Sequence, residues 1–356
     1  MRSEIIHLSI CSVTIVLSCL LTACQRPAAD IVHETKEAPK SEKTTPDLTQ
    51  ICQNLKQEMR DMNAQRTTLA IEQVNQDIRL CLPLMKFSEQ KELMNLSQKM
   101  YQNFLHLDRT SIQQQAFENY VLDQAAYPTI QQSQFEQLNI RDQYLLRHKG
   151  QAYIELIEQD GDQIAYRRSP QYLAKVFAPY LPEPEKVFIE NLAEQNTQAL
   201  LKNNSINLSP DEIAKRAIFW QKYIQDYPKS AYLSDAKILK NTYSNLLFQG
   251  IESAPISVHF ESQSDIDIAS WIAIKRLAKS NDGELSKQAE KFQQFINMTT
   301  EQRKQKIQLS AKEQNKLENK PQLLLLSQLN QYLNLYPMDI KRAKRDCFSD
   351  AICSSS

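Results

Sequence analysis

Residues 209–250 read SPDEIAKRAIFWQKYIQDYPKSAYLSDAKILKNTYSNLLFQG. Ser209 suits a helix cap, Pro210 suits the first helical position, where no amide hydrogen is needed, and Glu212 stands where it closes a capping box. Ile213, Ala217, Trp220, Tyr223 and Tyr227 then recur every three or four residues, the spacing that gathers side chains on one helical face. Pro228 stops the run because it cannot donate to the preceding turn. A second run starts after Ser230, carries Tyr232, Ala236, Leu239, Tyr243 and Leu247, and ends at Gly250. Two amphipathic helices joined by so short a connection fold back on each other. The stretch predicts a helical hairpin as the building unit of the chain.

Composition extends that expectation to the whole protein. Among 356 residues the only glycines are Gly150, Gly161, Gly250 and Gly283, far below the usual share of about 7%. Folds rich in tight turns and left-handed positions, such as sandwiches, barrels and sheets with phosphate loops, are disfavoured. Leu, Gln, Lys, Glu and Ala dominate, as in helical proteins. The 42 basic and 42 acidic residues balance to zero, which argues against nucleic acid as a partner.

The front of the chain carries an address. A mainly apolar run from Leu8 to Leu21 follows a short start bearing Arg2 and ends in Leu21-Thr22-Ala23-Cys24. It is too short and too early for an ordinary spanning helix of about 20 apolar residues, and its order of charge, apolar core and small residues is that of a signal peptide. The four closing residues resemble the lipobox of bacterial lipoproteins. That resemblance implies cleavage before Cys24 and acylation of its sulfur and new amine, which anchors the protein on a membrane without spanning it. Gln25 stands where inner-membrane lipoproteins of the best-known sorting system carry Asp, so the resemblance implies the outer membrane. Residues 1–23 are thus read as signal peptide and 24–46, with Pro27, Pro39 and Pro46 and little apolar content, as a lipidated flexible tether spanning roughly 25–30 Å. His33 in it reads as solvated.

Behind the tether the helical pattern returns. Leu48, Ile51, Leu55, Met59 and Met62 form one face and Ile71, Val74, Ile78 and Leu82 another, separated by a polar turn around Arg66. Further helices are expected from Ser88 (Leu93, Leu96, Met100, Phe104, Leu107), from Ser111 with Gln114 closing a capping box, and from Ser133 with Glu136. Residues 150–168 admit either a β-hairpin around Asp160-Gly161, spanning about 153–167, or a helix and loop. Tyr172, Phe177, Tyr180 and Phe188, broken by Pro179, Pro182 and Pro184, predict a rigid corner that divides an N-terminal helical region (47–180) from a C-terminal one (181–356). Ile256–Phe260 reads as extended and Ser264-Asp265 as a helix start. Helices are expected at 284–297, 300–318 and 321–335, the middle one almost wholly polar and therefore exposed or binding through charge. Lys341-Arg342-Ala343-Lys344-Arg345 reads as a basic helical patch, for which a solvated surface is the plainer account.

Tyr223-xxx-Tyr227-Pro228-Lys229-Ser230-Ala231-Tyr232-xx-Asp235-Ala236 resembles the helix pairs of tetratricopeptide repeats, especially those of bacterial outer-membrane assembly lipoproteins. Tyr332-xxx-Tyr336-Pro337 is a partial echo. No period of about 34 residues accompanies it, so the fold class expected is all-α, an irregular TPR-like solenoid of helical hairpins. Of seven cysteines, Cys11 and Cys19 leave with the signal and Cys24 is the lipid site. Four remain, which an oxidising compartment pairs in one of three ways. Cys52 and Cys81 sit almost equally far from the turn at Arg66, so antiparallel helices bring them together. Cys347 and Cys353 enclose a short terminal loop. The rival is a long-range link from Cys52 or Cys81 to that tail.

No GxSxG elbow, phosphate loop, HExxH pair or catalytic-cysteine context occurs, so no catalytic, metal or cofactor-binding residue is assigned. His106 and His148 lie on or beside packed faces, and Arg167-Arg168, which could grip an anionic partner, reads more plainly as a solvated or ion-paired couple. Glu252-Ser253 and Glu261-Ser262 resemble the glutamate-serine step of cell-wall lytic enzymes, without the glycine-rich stretch that should follow. The expected function is a non-enzymatic, periplasm-facing outer-membrane lipoprotein, a scaffold or adaptor for envelope proteins. The alternative is a peptidoglycan-active or peptidoglycan-binding accessory; a third is surface display with a host or polymer ligand. Oligomeric state and orientation across the membrane stay open.

Overall fold

The computed structural model describes residues 48–126, 132–159, 163–202, 205–281, 283–317, 319–336 and 345–355. The signal peptide, Cys24, the tether, the Asp160-Gly161 turn and residues 341–344 of the basic patch lie outside them.

Helices α1 (Leu48–Asp61) and α2 (Thr68–Cys81) form the first hairpin. Leu55 and Met59 from one and Ile71, Val74 and Ile78 from the other are buried, so the alternation of the sequence becomes a shared apolar seam. Thr67 caps α2 by accepting from the Ala70 amide at 3.3 Å, a contribution of about 1 kcal/mol. Helix α3 (Phe87–Leu105) begins one residue before the expected Ser88, because the Glu89 carboxylate accepts from the Lys86 amide at 2.9 Å. The capping box of α4 (Ser111–Ala126) is displaced in the same direction. Thr110 and Gln113, not Ser111 and Gln114, exchange side-chain and amide bonds at 3.3 and 3.0 Å. The start signal at Ser133 and Glu136 yields only α5 (Gln132–Glu136), whereas Tyr144 rides on α6 (Ile140–Arg147), capped by Asn139 accepting from the Arg141 amide at 2.8 Å.

Residues 150–168 resolve to the hairpin. Strands β1 (Ile154–Gln159) and β2 (Gln163–Arg168) pair antiparallel, with Ile154 opposite Arg168. The approach to β1 is strained: Ala152 and Tyr153 have φ of 47° and 59°, each costing roughly 1 kcal/mol for a residue with a Cβ. Two bonds hold the bend, the buried Tyr101 hydroxyl donating to the Ala152 carbonyl at 2.7 Å and the Ala152 amide donating to Glu72 at 3.1 Å.

Helices α7 (Gln171–Val176) and α8 (Glu183–Gln195) flank the proline corner, with Tyr172, Phe177 and Phe188 fully buried and Tyr180 on the surface. The corner turns the chain without opening the core. Apolar side chains from both sides of residue 180 belong to one continuous cluster, and the described residues form one compact unit.

Helices α9 (Pro210–Asp226) and α10 (Leu233–Phe248) make the expected pair. Ser209 caps α9 at 3.2 Å, while Glu212 turns forward to Arg216 at 2.8 Å instead of closing a box. The extended piece expected at 256–260 lies earlier, where Gly250–Ile251 pairs with Ala254–Pro255. Helix α11 (Ile268–Ala278) starts at Asp267, because that carboxylate caps the Ser270 amide at 2.8 Å, and Ser264-Asp265 form only a 3-10 turn. After α12 (Glu284–Ile296) the polar stretch expected as one helix is two, α13 (Thr300–Lys306) and α14 (Ala311–Leu317). Burial of Ile307 and Leu309 between them breaks the helix. The last helix is α15 (Pro321–Leu333), and Arg345–Asp346 pairs with Ser354–Ser355, so Arg345 lies on a strand and not a helix.

Candidate functional site

Two features combine residues distant in sequence, and they differ in character. The first is a closed clasp. Cys52 and Cys81 lie in disulfide geometry with Cα atoms 5.6 Å apart, and so do Cys347 and Cys353 at 4.1 Å. The loop held by the second pair is gripped from the middle of the chain. Arg168, its side chain only 5% exposed, forms an ion pair with Asp350 and donates to Ser97 at 2.8 Å. Arg167 pairs with Glu155 at 2.6 Å and donates to the Ser349 carbonyl, while the Asn196 amide donates to the carbonyls of Cys347 and Asp350. The two arginines are therefore consumed internally. Behind Arg168 the Asn75 amide donates to the Tyr101 hydroxyl at 3.1 Å, and the Tyr172 hydroxyl donates to Asn75 at 2.9 Å. Burial pushes both phenols well above their ordinary range, so this network holds neutral, fully bonded groups.

The second feature is open. A groove of about 630 Å³ lies between the segment Val258–Glu261 and the starts of α13 and α15, within the size range of small-ligand sites. One wall is apolar: Val258 and Leu323 are about half exposed, and Leu324 and Leu325 are half buried beside them. The other is basic, with Lys304 and Lys320 on the rim and Arg303 beneath. Arg303 is 4% exposed. Its guanidinium donates to the carbonyls of Phe260 at 2.5 Å and Phe295 at 3.3 Å and lies 4.5 Å from the Phe295 ring. No carboxylate is in ion-pair contact with it among the described residues. Burial lowers its affinity for the proton, and Glu261, at longer range, opposes that. Phe260 has φ of 47°, a left-handed strain that Arg303 and the bond from the Phe260 amide to Ser257 at 2.9 Å hold in place.

Other sequence candidates sit apart from the groove or only touch it. His106 is exposed beside Asp108 at 3.4 Å, and His148 stacks on Tyr144 at 4.2 Å. Glu252 and Ser253 occupy a two-residue turn, whereas Glu261 lines the groove. Among the described residues no cluster of His, Cys, Asp and Glu could hold a metal, and no helix is long and apolar enough to cross a membrane. The groove was not legible as a site because its walls come from three segments. Its one visible trace is the run Leu323–Leu326 behind Lys320-Pro321-Gln322, four leucines that exceed what one helical face can bury. No family model matches the chain, and no curated protein or solved structure is significantly similar to it.

Proposed function

We propose that the protein is a lipid-anchored, periplasm-facing scaffold or adaptor of the bacterial outer membrane, without enzymatic activity of its own. The observation that carries this is Leu21-Thr22-Ala23-Cys24 behind an apolar run, whose resemblance to a lipobox implies the compartment. Two further features support the reading. Paired helices such as α9 and α10 present extended faces suited to holding other proteins. Four cysteines placed for two local disulfides suit an oxidising compartment.

Acyl chains contribute about 0.8 kcal/mol per buried methylene, so the reading makes a sharp demand. Cys24→Ser abolishes metabolic labelling with palmitate, leaves the signal peptide uncut, and removes the mature lipid-modified form from outer-membrane fractions. A Cys24→Ser protein retained there at the normal mature mass refutes it. Crosslinking with mass spectrometry in intact cells then identifies the envelope partner. Digestion of muropeptides by the purified protein, if seen, replaces the scaffold reading with the peptidoglycan alternative.

A further inference from the structure

We propose that the groove between Val258–Glu261, α13 and α15 binds an acidic, leucine-rich peptide segment of an envelope protein partner. This rests on the scaffold reading and names the chemistry of its partner at one site.

Charge sets the first requirement. Among the described lining residues Arg303, Lys304 and Lys320 face one carboxylate, Glu261, a local excess of two positive charges in a chain whose total is zero. Neither lysine makes an ion pair among the described residues. A guanidinium taken from water and bonded only to neutral carbonyls lacks the partner that usually accompanies a buried charge. The contrast within this protein is direct: Arg109 meets Asp142 at 2.5 Å and Arg168 meets Asp350. Arg303 is held instead by two carbonyls and lines the groove, so a carboxylate entering there meets a preorganised, partly desolvated donor without reorganising the fold.

Shape and polarity set the second. The wall of Val258, Leu323 and Leu324 is apolar but open along its length, so an acyl chain laid against it would leave much of its surface in water. A peptide suits it better, placing leucine side chains on that wall while its backbone faces polar groups, of which the buried Gln328 is one. The wall and the basic rim lie within one groove, which selects segments in which acidic and apolar residues are neighbours.

The test is fluorescence anisotropy with the full-length protein in detergent and three labelled hexapeptides: alternating leucine and glutamate, the same with glutamine for glutamate, and the same with lysine. Saturable binding of the glutamate peptide is expected, weakened by salt and at least about tenfold tighter than the glutamine form. Lys304→Glu with Lys320→Glu, both on the exposed rim and checked for unchanged circular dichroism, weakens it by at least about tenfold. Leu323→Asp abolishes it. Absence of saturable binding, or equal affinity for all three peptides, or indifference to the rim substitutions overturns the proposal. So does anionic phosphatidylglycerol vesicle binding that the same substitutions remove while the peptide does not bind, which would make the groove a lipid site. Crosslinked envelope partners that persist in the rim variant would leave the scaffold reading standing while the groove proposal falls.

Discussion

Arg168 at the end of β2, itself buried, and Asp350 in the terminal cysteine loop, only 14% exposed, form an ion pair across 182 residues of sequence. The pair locks the tail to the middle of the chain, and Arg168 also lies over the rings of Tyr101 and Tyr172 at 5.6 and 4.8 Å. Removing one partner of a buried pair leaves the other charge uncompensated, at a cost of about 3 to 5 kcal/mol. Asp350→Asn therefore lowers the unfolding free energy in urea by about 3 kcal/mol. The double variant with Arg168→Met recovers part of that loss, because the orphaned guanidinium is gone.

The two cysteine pairs should contribute unequally. The first closes a separation of 29 residues and the second one of 6, which by loop entropy corresponds to about 3 to 4 against about 2 kcal/mol. The shorter loop also carries Asp350, so its opening frees the partner of Arg168. Reduction of Cys347–Cys353 is expected to lower the thermal midpoint by more than its loop entropy alone, whereas Asp350→Asn abolishes that excess. Non-reducing peptide mapping checks the pairing, and a peptide joining Cys52 to Cys347 would rule it out.

Helix periodicity made the hairpins legible, because burial at every third or fourth residue is a local property of the sequence. Cys52 and Cys81 followed from counting outward from Arg66, since antiparallel geometry alone equalises those distances. Helix starts were less legible. At α4, Thr110 and Ser111 are chemically equivalent caps one position apart, and Arg109 decides between them by drawing Gln114 into a bond at 3.0 Å. The polar stretch 300–318 failed as one helix because Ile307 joins a core built elsewhere and Leu309 is buried beside it. The groove was least legible: Arg303 in a run of Gln, Lys and Glu looks solvated until Phe260 and Phe295 are placed against it.

Two glycines separate conformational strain from steric conflict. Gly150 has φ of 88° with nothing within 4 Å of an added Cβ, whereas at Gly250, with φ of 77°, a Cβ would stand 2.4 Å from the Ala254 carbonyl oxygen. Gly150→Ala carries only the left-handed penalty, about 1 kcal/mol. Gly250→Ala must also push apart the short hairpin Gly250–Pro255, and a loss of at least about 2 kcal/mol is expected. Chemical denaturation of both variants tests the order, which reverses if the Gly250 turn relaxes freely.

Alkaline pH should unfold the protein through its buried phenols. Burial pushes the Tyr223 hydroxyl up to about 12, the bond with Ser230 opposes this, and nearby Glu185 adds to it. Tyr166, Tyr232 and Tyr243 move upward by burial as well. In the unfolded chain a tyrosine ionises near 10. Below that pH both states keep the proton and the stabilisation is whole. Between about 10 and 12 the unfolded chain releases protons that the folded one retains, so stability falls as pH rises and this contribution is gone above the folded value. Tyr223→Phe removes bonds to the Pro184 carbonyl at 2.8 Å and Ser230 at 2.7 Å, costing about 1 to 2 kcal/mol at neutral pH, and it flattens the alkaline decline. Tyrosinate absorbance titrated alongside circular dichroism reads both. Ionisation of all fourteen tyrosines near 10 with the helices intact would contradict the packing of Tyr223 against Phe188 and Trp220.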